Sequence, residues 1–355
     1  MLHLPNGQIC VAEPAMAKAI LGNAEGHYQE HSDFFTTTRG VFGPRAAQVA
    51  IGLAARELLA RHLEDNAEKL PELITERLGR SSWWPDTGNL LLFEHLMDAF
   101  VAPGRYASLR EIVYEVLDRS VLAGAQERQR PAARTLFRRR AMGVLRPAVR
   151  ARRMAPRRDP VDLLDVVVRN SPSNQSSDDE LAEIFLSFVS SAMGATGFVL
   201  GWSLYLLGTH PDIPADLSWV VREAMRLWPT SWIFYRQAVR PHVLAGVPVT
   251  PGQEVVVCSL LAHRHPAYWA APEEFRPQRW AGAPGEGYLP FGWGPHACAG
   301  ATVVHELVEG ILRIVTAENR VSVAPLAPDV PHVGALLAPP PFVVRLVAHA
   351  AHQPG

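Results

Sequence analysis

The residues of this chain that could do chemistry gather in its last third. In PFGWGPHACAG, residues 290–300, Cys298 sits in a loop whose Gly292, Gly294 and Pro295 hold the backbone open and bent. A cysteine kept for packing hides on an apolar helix or strand face, so this sulfur is presented for chemistry. The other cysteines, Cys10 and Cys258, are distant in sequence. An odd count with no close spacing indicates neither a disulfide framework nor a zinc site. Upstream, Glu223 and Arg226 in REAMRLWP share one helix face at i and i+3. Taken alone, such a pair is an ordinary surface bridge worth little. In EEFRPQRW, residues 273–280, Arg279 stands between Pro277 and Trp280.

The elements that must position these residues fall into two textures. The first two thirds read as helices: 13–21, 45–61, 67–78, 90–100, 108–122 and 132–153. The last of these, TLFRRRAMGVLRPAVRARRMAPRR, could meet an anionic partner, but a solvated helix face explains it better. After residue 229, SWIFYRQAV, HVLAGVPV and EVVVCSLL read as strands, with VPVTPGQEV as hairpin-like punctuation. A helix over 301–316 follows the cysteine, and RVSVAPLA and FVVRLVAH return to strand. The fold class expected is mainly α with small β-sheets, as a single domain over 1–355.

One segment competes with a soluble reading. From Ile184 to Leu207 the chain carries no charge over a length that could span a bilayer. Against that, Ser177 and Glu180 form a capping box with Asp178 and Asp179 in the first turn, and Gly208 and Pro211 mark the end. A central helix buried on every side explains the same residues. The 355 residues are 48% hydrophobic and 19% charged with a formal net charge of -1, which suits a large soluble core and argues against a dedicated nucleic-acid binder. The N-terminus lacks a basic region followed by an apolar run, so no leader or membrane anchor is expected, and the cytoplasm is the expected location.

Taken in order, E-x-x-R at 223–226, the F-x-P-x-R-W run at 275–280 and F-x-x-G-x-H-x-C-x-G at 291–300 resemble the cytochromes P450, the haem-thiolate monooxygenases. The resemblance covers most of the chain from about Ser177 onward and, more weakly, VAEPAMAKAIL and FGPRAAQ. It implies the cytochrome P450 fold, haem b as cofactor and Cys298 as the axial ligand to its iron. A thiolate there donates electron density and favours cleavage of the O–O bond of dioxygen. Backbone N–H groups near Gly294, Ala299 and Gly300, and the helix starting near Ala301, are expected to favour the thiolate.

The same resemblance places His296 and Arg236 on the haem propionates, Phe291 as a shield of the sulfur, and Gly292, Gly294 and Gly300 in the cofactor-binding loop. Glu223, Arg226 and Arg279 match the family's buried charge triad. SSAMGATGF matches the distal helix crossing the haem, with Ala192 against the cofactor and Thr196 as the catalytic threonine. Met193 replaces a usual glycine and Ala195 the usual acid. The family's early arginine has no clear counterpart; His31, Arg39 and Arg45 are candidates. The roof region is short, which implies an open or partner-completed site.

The function implied is oxidation of a hydrophobic small molecule, such as a secondary-metabolite intermediate, with dioxygen and electrons from a separate ferredoxin and ferredoxin reductase. The alternatives are a haem-binding protein without turnover, and atypical chemistry such as oxidative coupling or peroxide use.

Overall fold

The structure, a computed structural model, describes residues 1–29, 35–104, 107–122, 131–172, 176–213, 216–282, 285–327 and 330–349. Two short strands, β1 (Leu2–His3) and β2 (Ile9–Val11), precede α1 (Pro14–Gly22). A hairpin of β3 (Thr36–Thr37) and β4 (Gly40–Val41) leads into α2 (Arg45–Asp65) and α3 (Leu70–Leu78). Strand β5 (Ser81–Trp84) comes next, then α4 (Asp86–Phe100), α5 (Ala107–Ser120), α6 (Pro131–Met154), α7 (Leu163–Arg169) and α8 (Asp178–Thr209). After α9 (Leu217–Leu227) come β6 (Ile233–Gln237), β7 (His242–Leu244), β8 (Val247–Val249), β9 (Glu254–Cys258) and the single turn α10 (Ser259–Ala262). Helix α11 (Ala301–Glu318) begins just after Cys298, followed by β10 (Asn319–Pro325), β11 (His332–Val333), β12 (Leu337–Ala338) and β13 (Phe342–Ala348).

Helix α8 organises the rest. Its start is fixed by the capping box: the Glu180 N–H donates to the Ser177 hydroxyl at 3.2 Å, and the Ser177 N–H donates to the Glu180 carboxylate at 2.8 Å. Its residues are apolar on all sides because it passes through two cores. Leu181, Phe185, Val189 and Met193 pack with α2, α4, α5, α6 and α7; Val199, Trp202 and Leu206 pack with α9, α11 and β13. The helix is long and apolar enough to cross a membrane, yet most of that apolar stretch is buried inside the protein.

The arginine-rich α6 is in large part a solvated face, and its later arginines meet acids. Arg146 pairs with Asp179, Arg150 with Asp178 at 2.7 Å and Arg153 with Asp178 at 2.9 Å, so its positive charge meets the acidic first turn of α8. Arg152 is buried and binds Asp162 and Asp165, each at 2.7 Å, which ties in α7, an element the sequence pattern had not singled out. Four acids thus set the position of α6 against α7 and α8.

Strands also occur among the early helices. Strand order in the larger sheet is β1-β2-β9-β6, with β2 parallel to β9 and β6 antiparallel to it, setting Arg236 opposite Val255. A second sheet, β10-β13-β5, sets Trp84 opposite Phe342. The VPVTPGQEV segment is a turn but not a hairpin. Strand β8 pairs back with β7 around Ala245 and Gly246, both at positive φ, while β9 joins the other sheet.

Candidate functional site

The loop from Leu289 to Gly300 folds back on itself, with the Cys298 N–H donating to the Phe291 carbonyl at 3.0 Å and the Ala297 N–H to Gly294 at 3.1 Å. Gly292 and Gly294 hold φ of 75° and 73°, values that disfavour a side chain. At Gly294 a Cβ would also lie 2.9 Å from Gly22 Cα, so its missing side chain lets the loop seat on the end of α1. That seat, rather than an approach to sulfur, accounts for this glycine. The N–H directed at the sulfur is that of Gly300.

Cys298 is solvent-accessible, whereas Cys10 and Cys258 are buried. Surrounding protein pushes the Cys298 thiol above its usual range, and the Gly300 N–H opposes this. The start of α11 adds the positive end of an 18-residue helix at the same place. A cation bound at the sulfur would complete what these groups begin, holding it as thiolate.

Other parts of the chain brace the loop. Gly52 of α2 brings its helix within 3.6 Å of the Ala299 methyl, measured from an ideal Cβ. The Arg45 guanidinium donates to the Pro295 carbonyl, and the Lys18 ammonium stands 4.4 Å from the Trp293 ring. Of the early candidates for a propionate contact, Arg45 reaches the loop. Arg39 lies 4.0 Å from Glu180 at the start of α8, and His31 falls outside the described residues. Arg236 is buried on β6 with a hydrogen bond to the Tyr235 carbonyl at 2.8 Å. His296 is half-buried in the short turn Gly294–His296, and Phe291 packs against the second core.

The charged residues upstream form one buried cluster. Glu223 and Arg226 are both 0% exposed. Arg226 uses all five of its N–H donors: two to the Glu223 carboxylate at 2.9 and 3.0 Å, and three to the carbonyls of His263, Pro272 and Glu274 at 2.9, 2.7 and 3.1 Å. Glu223 also accepts from Arg279 Nε at 3.0 Å, the Arg276 N–H at 3.0 Å and Trp280 Nε1 at 2.9 Å. Neither charge is left without partners, which is the condition for tolerating burial.

A residue that sequence reasoning passed over connects this cluster to the cysteine loop. His263 is fully buried, its Nδ1 lies 3.1 Å from the Arg226 carbonyl, and its Nε2 accepts from the Leu289 N–H at 2.7 Å. Burial, with the Arg226 and Arg264 charges, pushes its pKa down to about 3, so the ring is neutral with its proton on Nδ1. In SLLAHRHP nothing sets it apart from His265, which adjoins the same Arg264.

On α8 the partly exposed stripe is Phe188, Ser191, Ala192 and Ala195. Ala192 therefore lies on the open side. Thr196 sits at the edge of that stripe, 3% exposed, and its hydroxyl makes no hydrogen bond among the described residues. Gly194 approaches Leu336, whose neighbour Leu337 is tied to the Thr230 carbonyl at 2.9 Å, and Trp232 Nε1 donates to Gly334 at 3.0 Å. Phe234 of β6 in turn touches the position of Gly292. Contacts through residues 334–337 and β6 thus run from α8 to the cysteine loop.

Comparison with known proteins gives the family and the fold. The family model described as Cytochrome P450 matches residues 216–305, which run from the start of α9 through the charge cluster and Cys298 into α11. Over this stretch the chain belongs to the cytochrome P450 family. It is 29% identical over 171 residues to Cytochrome P450 4V2 of Mus musculus, covering 39% of this chain and 32% of that one. It is 27% identical over 179 residues to Cyclooctatin synthase of Streptomyces melanosporofaciens, covering 42% and 39%. The chain spans about a third of the length of the curated P450 relatives it matches first.

Among solved structures, a mutant of P450 EryK in complex with erythromycin B superposes with a TM-score of 0.73 at 18% identity, covering 100% of this chain and 94% of that one. CYP109E1 from Bacillus megaterium in complex with testosterone gives 0.73 at 15% identity, covering 97% and 95%. The fold is that of a P450, helix-rich with small sheets. Members of the family bind haem b. The donor set in this P450 suits that group: an accessible thiol at a helix start, a converging N–H, and the basic His296 in the same loop.

Proposed function

We propose that this P450 is a haem-thiolate monooxygenase that oxidises a hydrophobic small molecule, with its 355 residues acting as one catalytic unit. The observation that carries the reading is the accessible Cys298 sulfur at the start of α11, in a loop anchored through His263 to the buried Glu223–Arg226 pair. Bound haem b supplies the iron at which dioxygen is activated, and a cysteine thiolate on that iron favours O–O cleavage. Cys298 is the residue that would hold the iron, and Gly300 and the α11 terminus keep its sulfur deprotonated once a cation is bound. Arg236 and His296 would bind the propionates as cationic or donor groups.

Ala192 presents a methyl-sized side chain on the open face of α8, leaving room for a flat cofactor and a substrate above it. The Thr196 hydroxyl is the group in this helix suited to hold a proton near the reacting oxygen. Ala195 cannot replenish that proton, so an ordered water or a hydroxyl of the substrate takes over that part. Electrons arrive singly from separate proteins, a ferredoxin and its reductase, in the cytoplasm. The likeness to a relative named Cyclooctatin synthase supports a biosynthetic intermediate as substrate.

The test is the absorption band of the reduced carbon monoxide complex. Wild-type protein and the variants Cys10→Ser and Cys258→Ser carry the red-shifted band of a thiolate ligand, and Cys298→Ser loses it. A normal thiolate band in Cys298→Ser overturns the reading.

The burial of Thr196 and the methyl at Ala195 favour a second reading, in which haem is bound without monooxygenase turnover or serves peroxide use or oxidative coupling. Product formation with surrogate redox partners, compared with product formation driven by hydrogen peroxide, separates the two.

A further inference from the structure

A cavity of about 780 Å3 opens between the β3 strand, α5, α6 and the first half of α8. Its rim carries three guanidinium groups, from Arg119, Arg134 and Arg138, against one carboxylate, Glu183. That carboxylate is already engaged: Arg138 pairs with it, and the Thr38 N–H and hydroxyl each donate to it at 2.8 Å. Arg119 likewise faces Glu115 at 2.8 Å. Arg134 is exposed and has no acid partner among the described residues. Below the rim the walls turn apolar, with Phe137, Met142 and Leu186. The volume is that of a small-molecule site, and the division of polar rim from apolar floor fits a molecule with one charged end.

The cavity meets α8 at Glu183, Leu186 and Ser187, N-terminal to the stripe that carries Ala192 and Ala195. Ser187 lines it, Ser191 follows on the same side of α8 at i+4, and Ala195 at i+8 is turned by about 80° from Ser187. Ala195 lies about 12 Å beyond Ser187 along the helix axis at about 1.5 Å per residue. A molecule held by its charged end at Arg134 therefore needs an extended apolar part to reach the stripe of Ala192 and Ala195. Guanidinium groups recognise carboxylates through paired, parallel hydrogen bonds, which selects the charged end.

We propose, resting on the monooxygenase reading above, that the substrate is an amphipathic carboxylic acid whose carboxylate is held at Arg134 and whose apolar chain runs along α8. Titration calorimetry of the haem-loaded protein with dodecanoate, dodecanol and dodecyl phosphate, each below its micelle-forming concentration, reads this directly. Dodecanoate binds about tenfold more tightly than dodecanol, and its affinity falls with added salt. Arg134→Ala weakens dodecanoate by about fivefold and dodecanol by less than about twofold, with Arg134→Lys in between. Arg134 is exposed, so the variant folds, which circular dichroism verifies. Equal affinity for dodecanoate and dodecanol overturns the proposal, as does equal weakening of both by Arg134→Ala. Dodecyl phosphate binding about tenfold more tightly than dodecanoate overturns the carboxylate assignment. The carbon monoxide band of the same preparation separates the two levels: a normal band without carboxylate preference removes this inference alone, and an absent band removes the monooxygenase reading.

Discussion

The Nε2 of His263 accepts a hydrogen bond from the backbone N–H of Leu289 at 2.7 Å, and its Nδ1 meets the carbonyl of Arg226 at 3.1 Å. One neutral ring thus fastens the entrance of the cysteine loop to the buried ion pair. His263→Phe fills similar space but leaves the Leu289 N–H and one carbonyl without their partner. Leaving such a group buried and unmade costs about 1–3 kcal/mol. Urea unfolding of the variant is expected to show that loss, and its carbon monoxide spectrum a smaller thiolate fraction; an unchanged midpoint would remove His263 from the support of the loop.

Buried histidines also set the response to acid. His263 is held down to about 3 and His95 to about 4, the latter by burial first and then by His62 and Lys69. In the unfolded chain both titrate near the ordinary value of about 6.5. Because the folded values are depressed, the stability these residues contribute is whole above about 6.5 and is lost as pH falls from there toward 4 and 3. Each steepens the loss by up to about 1.4 kcal/mol per pH unit. Unfolding free energies of wild type and His95→Gln between pH 7 and pH 5 are expected to diverge in slope, the variant being the flatter.

Removing one member of the buried pair strands the other. Glu223→Ala leaves Arg226 among backbone carbonyls with no carboxylate, and Arg226→Ala leaves Glu223 facing Arg279 and Trp280. A cost of about 3–5 kcal/mol is expected, a large share of a typical domain's stability. Expression yield and haem content of either variant are expected to fall sharply. Full haem loading in either would show that the surrounding carbonyls and donors suffice alone.

At Thr196 the expected outcome depends on the proton path. With the hydroxyl removed in Thr196→Ala, electrons are expected to leave as peroxide and product formation to fall roughly ten- to a thousandfold, the scale of a positioned proton-transfer group. Ala195→Glu is expected to help or leave coupling unchanged. Measured peroxide per electron that does not change in Thr196→Ala would take this threonine out of the mechanism.

What could be read from the sequence was local or carried by spaced motifs. The capping box at Ser177 and the turn glycines at 292 and 294 declare themselves within a few residues, because backbone geometry there leaves little choice. The helical texture was legible for the same reason. Strand β5 was not: the short SSWW segment becomes a strand only by pairing with Phe342–Arg345, far along the chain. Nor could the sequence say which acids the α6 arginines meet, since Arg146 and Asp179 are joined only by how α6 packs on α8. His263 stayed hidden because its importance lies in two backbone partners, and a backbone partner leaves no mark in the pattern of side chains.

The five donors of Arg226 also bear on how this P450 breathes. Between α10 and the loop of Cys298 the described backbone has only a short helical turn at Pro277–Ala281, so few of its amides belong to a regular ladder. Its carbonyls at 263, 272 and 274 converge instead on one guanidinium planted in α9. Such a stretch opens only when that side chain lets go. Its slowest amides are then expected to exchange with solvent deuterium at the pace of α9, as one cooperative unit, despite looking like a loop.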